Sequence, residues 1–381
     1  MTTELREGVM APIRKQNPYA IVAITKHGVE NSRKLNGVFA QTDLYYMSKF
    51  EKGDEKRRGI QLFTGSVKLL LPALFQLYKG IILIISLGAV VRMIAPILKD
   101  KKTDPAVVVI DDRGENVISV LSGHLGGANE LTREVAALLK ARAVITTASD
   151  VQQTIPVDLL GSRFGWVWDS EEKLTPVSAS VVNEEHVAIV QESGEPDWWM
   201  YETPLPQNLV IYDSIQEAQQ AKPKAALIIT HRLLAGEEES ILENGVLFRP
   251  KSVAIGMGCN RGTTAMEIEK IILETLAELR ISLKSVKALC TIDLKKDEQG
   301  MLEIAGKYGW EFVYYPPDTL NKAEIQAPSE TVYKYTGAYG VSEPAVRIYT
   351  VASELELVKK KSGNVTISVG VISYSKGEAD E

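Results

Sequence analysis

The sequence predicts an α/β protein in three parts: an N-terminal parallel-sheet α/β domain, a small middle α+β domain and a C-terminal α/β domain. Three observations lead to this prediction. Short apolar runs alternate with amphipathic stretches, glycine-bearing turns follow several of these runs, and 381 residues exceed the length of one ordinary domain. We place the domain boundaries at residues 1–150, 151–250 and 251–381.

The N-terminal domain is predicted from continuous apolar strands, which are typical of a parallel sheet covered on both faces. Between them lie helical stretches, and in the last of these Leu131, Val135 and Leu138 recur on one face of a helix. The predicted strands cover residues 19–25, 81–86, 106–110 and 143–147, and the predicted helices cover residues 67–78, 89–99 and 128–140.

The middle domain differs from the N-terminal domain in composition, because it holds four of the five tryptophans and several prolines. Strand-like pieces at 187–191, 209–212 and 225–230 are separated by turn residues. The acidic run at 236–240 is predicted to be a solvated loop.

The C-terminal domain repeats the order of strand, glycine turn and helix. Its predicted strands cover residues 252–256, 288–294, 311–314 and 364–373, and its predicted helices cover residues 263–280 and 343–360.

Composition excludes several classes of protein. A hydrophobic fraction of 45% and a charged fraction of 24% are those of soluble globular proteins. The net charge of −6 argues against a nucleic-acid partner, although a local cluster of arginines and backbone N–H groups can still bind a small anion. Two cysteines are too few for a zinc site or a disulfide framework.

The N-terminus and the most apolar segment lack the features of a targeting signal and of a membrane span. The first eight residues lack the order of a signal peptide, and the apolar run at 81–91 is about half the length of a membrane span. We therefore expect a cytoplasmic protein without a membrane partner.

Four glycine-bearing turns are candidate anion sites. In the first, at 86–92, Gly88 either makes a tight strand-to-helix turn or leaves free N–H groups that hold a carboxylate or phosphate together with Arg92.

The second turn, at 122–129, places His124 among glycines between an apolar strand and a helix. It lacks the residues of a P-loop and the spacing of a dinucleotide fingerprint. His124 is either a buried, satisfied histidine or an acid, base or oxygen-binding donor at the carboxyl end of a strand. The candidate binding residues of this turn are Ser122, Gly123, Gly126, Gly127 and Asn129.

Asp111 and Asp112 follow another buried strand. They bring a carboxylate to the same edge, or they only form a hairpin turn into residues 117–121.

The third turn, at 256–263, offers Gly256, Gly258 and Arg261 for an anion. Its Cys259 is a low-pKa thiol near a helix start or, more simply, a packing residue. The fourth turn, at 335–343, offers Thr336, Gly337 and Gly340, and Pro344 suits the first turn of the helix that follows. Four such turns indicate a ligand with several negative groups.

At these residues the sequence resembles the CbiG family of cobalamin biosynthesis. The resemblance rests on residues 88–96, 101–111, 121–129 and 144–150, then on Gly-Met-Gly-Cys-Asn-Arg-Gly at 256–262 and on 328–337. The later segments resemble the C-terminal domain that the family shares with the CobE proteins. The resemblance covers nearly the whole chain.

The resemblance implies a hydrolase acting on a carbon–carbon bond, cobalt-precorrin-5A hydrolase. Such an enzyme opens the ring A lactone of a corrinoid substrate and releases acetaldehyde to give cobalt-precorrin-5B. It also implies that cobalt is carried by the substrate and that no cofactor is held by protein ligands. Hand-over to other cobalamin-pathway enzymes and a homo-oligomer are compatible with this interpretation.

The mechanism is a hypothesis at this point. Lactone hydrolysis needs a base and an oxyanion donor. We expect His124 to act as base or acid, with Asp111 or Asp112 orienting it or serving as a second base. The N–H groups of Gly88, Gly126 and Gly127 would hold an oxyanion or a carboxylate, and the two arginines would bind acid groups. A corrinoid carrier without catalysis and, more remotely, a nucleotide-binding enzyme are the alternatives.

Overall fold

A computed structural model describes residues 13–100, 102–326 and 328–374. The first eight residues, on which the absence of a signal peptide was predicted, lie outside this part. The chain divides into two compact units, Met1–Leu159 and Leu160–Glu381.

The first unit is built on a seven-stranded sheet in the order β3-β2-β1-β4-β5-β6-β7. Its strands are β1 (Tyr19–Ala23), β2 (Thr42–Met47), β3 (Gln61–Phe63), β4 (Gly80–Ile84), β5 (Ala106–Ile110), β6 (Asn116–Leu121) and β7 (Arg142–Val144). The predicted α/β class is confirmed, although β2 and β3 were not predicted.

Helices cover both faces of this sheet. They are α1 (Lys26–Val38), α2 (Glu55–Arg58), α3 (Val67–Leu77), α4 (Leu87–Ile94), α5 (Ala128–Leu139) and α6 (Ala148–Gln152). On one face Leu35 of α1 and Val135 of α5 share a core with the sheet, and on the other face Leu71 of α3 and Val90 of α4 do so. Burial on both faces is why the central strands are wholly apolar.

The sheet is not wholly parallel, which corrects the sequence prediction. Strands β1 to β5 run parallel, but β6 runs antiparallel to β5, with Ile110 opposite Val117 and Val107 opposite Leu121. The reason is the short connection between the two strands, since a parallel crossover needs a dozen residues or more. The end of β6 therefore lies beside the beginning of β5.

The second unit contains two sheets. The first has the order β10-β9-β11-β12-β8, with β8 (Val167–Trp168), β9 (Val187–Gln191), β10 (Leu209–Tyr212), β11 (Ala225–Ile229) and β12 (Gly245–Arg249). Its helices are α7 (Leu174–Val182) and α8 (Ile215–Gln220). Its four longer strands are parallel, so this segment differs from the predicted α+β arrangement. The acidic run belongs to a 3-10 helix, Gly236–Asn244, and is not an open loop.

The second sheet has the order β15-β14-β13-β17-β16. Its strands are β13 (Val253–Cys259), β14 (Val286–Ile292), β15 (Glu311–Tyr315), β16 (Leu357–Ser362) and β17 (Val365–Val371). The helices of this part are α9 (Ala265–Glu278), α10 (Gln299–Tyr308), α11 (Pro317–Leu320), α12 (Glu330–Thr336) and α13 (Ser342–Thr350).

The predicted helix over 343–360 is wrong in its second half. Helix α13 ends at Thr350, because Val351 adopts a left-handed conformation with φ of 54°. The residues that follow form β16, whose backbone pairs with β17. None of the helices in the described ranges is both long and apolar enough to cross a membrane.

Candidate functional site

The loop that carries His124 is tightly folded. A Cβ atom on Gly126 would lie 2.2 Å from the Cβ of Ser122, and one on Gly123 would lie 2.9 Å from Oδ1 of Asn129. Gly127 has φ of 82° and directly precedes α5. The glycines at 123 and 126 therefore serve close packing within the loop, and the N–H of Gly127 already donates to the carbonyl of His124 at 2.8 Å.

His124 lies between two carboxylates. Its Nε2 is 3.1 Å from Oδ2 of Asp150, and its Nδ1 is 3.0 Å from Oδ1 of Asp158. The hydroxyl of Ser149 lies 3.0 Å from Nε2. Hydrogen bonds to Asp150 and Asp158 raise the pKa of His124 to about 9, against the opposing effect of burial. At neutral pH His124 is thus an imidazolium with both N–H groups engaged.

Asp150 is the hub of this cluster. Besides His124 it accepts hydrogen bonds from Arg133 and from Nδ2 of Asn129, the latter at 2.9 Å. Burial alone would raise the pKa of Asp150, but the bonds from His124 and Arg133 outweigh it and hold that pKa below its usual value. Asn129 is buried and accepts from the hydroxyl of Ser119 at 2.7 Å. The cluster is a satisfied polar network.

This arrangement disfavours the predicted role of His124 as a base. A base must present an unprotonated nitrogen to its substrate, and here both nitrogens donate to carboxylates. The sequence reasoning missed Asp150 and Asp158, which lie 26 and 34 positions further along the chain and have no spacing that links them to a histidine.

The expected grouping of His124 with the other N-terminal candidates is also wrong. We call the side of the sheet where β1, β4 and β5 end the carboxyl edge. Because β6 is reversed, the loop after it lies at the opposite edge, where the hydroxyl of Ser122 donates to the carbonyl of Asp104 at 2.9 Å. Gly88, Arg92 and Asp112 follow β4 and β5 at the carboxyl edge.

Asp111 and Asp112 have different partners at the carboxyl edge. The carboxylate of Asp111 accepts hydrogen bonds from N–H groups of its own turn, from Arg113 at 2.9 Å and from Asn116 at 2.5 Å. This is the hairpin-turn role, one of the two interpretations of this residue. The carboxylate of Asp112 accepts the hydroxyl of Thr25 and lies 3.2 Å from Nδ1 of His27. Neither aspartate has a bond to His124; each is held elsewhere.

Gly88 and Arg92 lie on α4 beside this edge. Gly88 is exposed at the second position of the helix, and a Cβ atom there would meet no atom within 4 Å. Arg92 is exposed and forms no ion pair with the residues that the structure describes. Their use by an anionic ligand stays a prediction.

The third and fourth turns meet in the second unit. Gly258, Arg261, Thr336 and Gly340 all line one cavity of about 670 Å³, next to β13, β16 and α12. The structure therefore brings together two turns that are more than 70 positions apart in the chain. A cavity of this size is within the range of small-molecule sites.

Two of the predicted residues lie elsewhere. Gly256 is inside β13 and not in a turn; a Cβ atom on it would lie 1.9 Å from the carbonyl oxygen of Ser342, so it permits α13 to pack on the strand. Gly337 ends α12 with φ of 74°, and its N–H donates to the carbonyl of Tyr333 at 2.8 Å. Both positions follow the rules for close packing and for helix ends.

The charges of the cavity come mostly from residues that the sequence reasoning did not single out. Lys359 and Lys361 line it, and neither forms an ion pair within the described ranges, whereas Lys360 between them pairs with Glu278 at 2.6 Å. Side chains of a strand alternate between faces, which puts the two free lysines on the cavity side. Arg261 already contacts Asp297 at 2.7 Å.

Cys259 also lines the cavity. Burial raises the pKa of its thiol, so the group is a neutral thiol at physiological pH. The packing interpretation of this cysteine is supported over the reactive one. Across the ranges that the structure describes, no three His, Cys, Asp or Glu side chains converge as metal ligands would.

Comparison with known proteins gives a consistent result. Three family models match the chain: the cobalamin synthesis G N-terminal model over residues 70–150, the cobalamin biosynthesis central-region model over 155–250, and the cobalamin synthesis G C-terminus model over 253–370.

Individual relatives agree. A cobalt-precorrin-5A hydrolase of Priestia megaterium is 72% identical over 371 residues, which is 97% of this chain and 99% of that protein. A protein of the same name from Salmonella typhimurium is 29% identical over 365 residues, covering 94% and 98%. The crystal structure of a cobalamin biosynthesis protein G homolog from Sulfolobus solfataricus shares 20% identity over 93% of this chain and 97% of that one, with a TM-score of 0.35. The resemblance drawn from the sequence is confirmed: this chain belongs to the CbiG family of cobalamin-synthesis proteins and is a hydrolase.

Proposed function

We propose that this chain hydrolyses cobalt-precorrin-5A, opening the ring A lactone and releasing acetaldehyde to give cobalt-precorrin-5B. The observation that carries the proposal is the 72% identity, over nearly the whole of both chains, to the Priestia megaterium cobalt-precorrin-5A hydrolase. The cobalt belongs to the corrinoid substrate, so the protein needs no metal ligands of its own for this step.

The reaction consumes one water. The water oxygen adds to the lactone carbonyl, and the acyl C–O bond then breaks to leave a carboxylic acid and an alcohol. Loss of the alcohol proton and cleavage of its C–C bond to the macrocycle convert the alcohol carbon and its methyl group into acetaldehyde. The macrocycle keeps the electron pair of that bond and takes up a proton.

We assign corrinoid binding to the cavity that Gly258, Thr336 and Gly340 line. Free lysines at 359 and 361 suit the acetate and propionate groups at the edge of a corrinoid, because each ammonium group is not neutralised by a carboxylate of the described residues. The exposed Tyr335 adds an aromatic surface beside them.

The first test is anaerobic incubation of the purified protein with cobalt-precorrin-5A, with trapping of any aldehyde and mass measurement of the macrocycle. Formation of acetaldehyde and of a lactone-opened product would support the proposed hydrolase activity. A macrocycle that stays bound and unchanged instead supports a corrinoid carrier, the second candidate, for which the cavity alone would suffice.

The assignment of the cavity is tested by changing the two lysines that line it and, as a control, the lysine between them. Changing both Lys359 and Lys361 to Ala should raise KM roughly tenfold with little effect on kcat, since each lost charge contact is worth about 0.5–1 kcal/mol. Lys360→Ala on the same strand is the control and should leave KM unchanged. Equal KM values for both variants would place the binding site elsewhere.

A further inference from the structure

The cavity of the second unit lies at the end of two parallel strands. Strands β13 and β14 are paired in parallel and end at Cys259 and Ile292, and both of these residues line the cavity. Ser342 and Glu343, the first two residues of α13, line it as well. In open α/β sheets, ligands bind outside the carboxyl ends of the strands. The cavity therefore has the position of a ligand site, and one of its walls includes the start of a helix.

Glu343 is the one carboxylate among the residues that line this cavity in the described part of the chain. The other titratable side chains of the lining are four cations, a thiol and a phenol: Arg261, Lys295, Lys359, Lys361, Cys259 and Tyr335. Ammonium and guanidinium groups have no acceptor atom, and a phenol ordinarily keeps its proton at neutral pH. Burial raises the pKa of the Cys259 thiol, so that group keeps its proton too. Glu343 is therefore the titratable side chain of the lining that can accept a proton.

The partners of Glu343 occupy only one of its two oxygens. Its side chain is 5% exposed, and Oε1 accepts the backbone N–H of Gln326 at 3.0 Å and lies 3.2 Å from Nε of Arg347. Oε2 accepts no hydrogen bond from the residues that the structure describes. A buried polar atom without a partner costs free energy, which a water or a ligand in the cavity would recover. The arrangement therefore leaves one carboxylate oxygen for a bound molecule.

Arg347 fixes the direction of this carboxylate. It lies one helical turn beyond Glu343 on α13, and its side chain is also largely buried. While Nε contacts Glu343, Nη1 donates to the carbonyl of Ser353 at 3.0 Å. Because the guanidinium is planar and rigid, bonds on two of its nitrogens hold it in one orientation.

Two carboxylates near the cavity serve the third turn instead. Oε1 of Glu298 accepts the N–H of Gly262 at 2.7 Å, and its Oε2 lies 3.0 Å from Nζ of Lys295. Asp297 is exposed and pairs with Arg261 at 2.7 Å. Neither Glu298 nor Asp297 is among the residues that line the cavity. Glu298 has a partner on each oxygen, which is the state that Glu343 lacks.

We propose that Glu343 is the general base of the hydrolysis, a role that rests on the proposed function, and that Arg347 positions its carboxylate. A general base needs an unprotonated atom within hydrogen-bonding reach of the water that it activates. Oε2 of Glu343 meets this need inside the cavity to which corrinoid binding is assigned. Base and binding residues then belong to the same sheet and the same cavity.

The reaction balances on one carboxylate oxygen. Oε2 of Glu343 takes a proton from water as the water oxygen adds to the lactone carbonyl, and returns that proton to the alcohol oxygen as the acyl C–O bond breaks. The same oxygen then removes the alcohol proton while the C–C bond to the macrocycle breaks and acetaldehyde forms. The electron pair of that bond stays on the macrocycle, which takes the proton from Glu343, and the carboxylate is restored.

The test compares single-turnover rates with cobalt-precorrin-5A under anaerobic conditions. Glu343→Gln should lower the rate of acetaldehyde release about 10² to 10³-fold, as expected for loss of a general base, while corrinoid binding, followed by its absorption spectrum, stays within about twofold. In Glu343→Ala, added formate should restore part of the rate, because a small carboxylate can enter the vacated space. Glu330→Gln is the control: this exposed residue of α12 makes the same change of charge outside the lining and should react at the full rate.

Two further variants test the position of the carboxylate. Glu343→Asp keeps the charge beside Arg347 but withdraws the carboxylate by one carbon, so it should bind the corrinoid normally and react at least about tenfold more slowly. This variant also decides the matter if Glu343→Gln fails to fold. Arg347→Gln should lower the rate by about tenfold without weakening binding, and Arg347→Lys should recover part of the loss.

The outcomes separate the two proposals. If the wild-type protein releases no acetaldehyde, the proposed function fails. If the wild type reacts and a folded Glu343→Gln or Glu343→Asp reacts at the same rate, only the assignment of Glu343 is overturned. Loss of corrinoid binding in Glu343→Gln, with the bound fraction reacting at the full rate, would also overturn it and make Glu343 a binding residue.

Discussion

The two edges of the N-terminal sheet each place a histidine beside aspartate, yet the two histidines differ in what they can do. At the opposite edge His124 is one-fifth exposed and contacts two carboxylates, so it is a permanent cation at neutral pH. At the carboxyl edge His27 is exposed and contacts one carboxylate. The comparison teaches that a histidine held by two carboxylates becomes a structural cation, whereas a histidine at the exposed edge keeps one ring nitrogen open to solvent.

The largest expected difference concerns stability. Asp150→Asn should lower the free energy of unfolding of the first unit by roughly 2–3 kcal/mol, because it removes the part-buried carboxylate that His124 and Arg133 share. Asp112→Asn at the exposed edge should cost less than about 1 kcal/mol. Hydrogen exchange of peptides from α5 measures both, since all five tryptophans lie in the second unit and fluorescence would miss the first.

Similar losses for the two variants would contradict the contrast between the edges. A loss in α5 that extends to peptides of β14 or α9, in the second unit, would show instead that Asp150 supports more than its own cluster.

The next effect is on pH dependence. A histidine whose folded-state pKa is raised from 6.5 to about 9 adds stability that is complete below pH 6.5 and is lost as the pH rises through 9. Each pKa unit is worth about 1.4 kcal/mol, and after partial screening by water we expect a loss on the order of 2 kcal/mol over this window. His124→Asn should flatten the curve. Urea unfolding followed by circular dichroism at several pH values provides the measurement, and an unchanged slope in the variant would exclude His124 as its source.

The smallest effect compares two glycines. Gly88→Ala at the carboxyl edge should stabilise the protein by about 0.5–1 kcal/mol, because it lies in a helix with open space around the Cβ position. Gly126→Ala at the opposite edge should destabilise it, since the new atom would overlap Ser122. Melting temperatures of the two variants should therefore move in opposite directions, and a shift in the same direction would show that the loops do not differ as described.

Much of the fold was predictable from local pattern. Apolar runs such as the one around Val107 gave the central strands, and the periodicity of Leu131 and Val135 gave α5 almost to the residue. Strand β2 and the edge strands β3 and β16 were missed. β2 mixes polar and apolar residues, β3 has only three residues and β16 holds three consecutive lysines, so pairing with neighbouring strands decides their conformation.

The candidate site was predicted less well. Asp112 and His27 lie 85 positions apart, and no spacing rule links them. The glycines around His124 made it the strongest candidate in the sequence, but two of those glycines serve packing within the loop. The predicted third turn begins inside β13, and most of the predicted first turn belongs to α4. The structure brings only residues of the third and fourth segments together in one cavity.

The sequence by itself determined the α/β class and the family, because apolar periodicity and short motifs are local properties that survive without coordinates. Only the tertiary structure decided which residues meet. Because β6 runs antiparallel to β5, the loop that carries His124 lies at the opposite edge of the sheet. Because the strand order changes direction between β1 and β4, His27 after β1 lies beside Asp112 after β5. Strand order and direction depend on long-range pairing, which no single segment encodes.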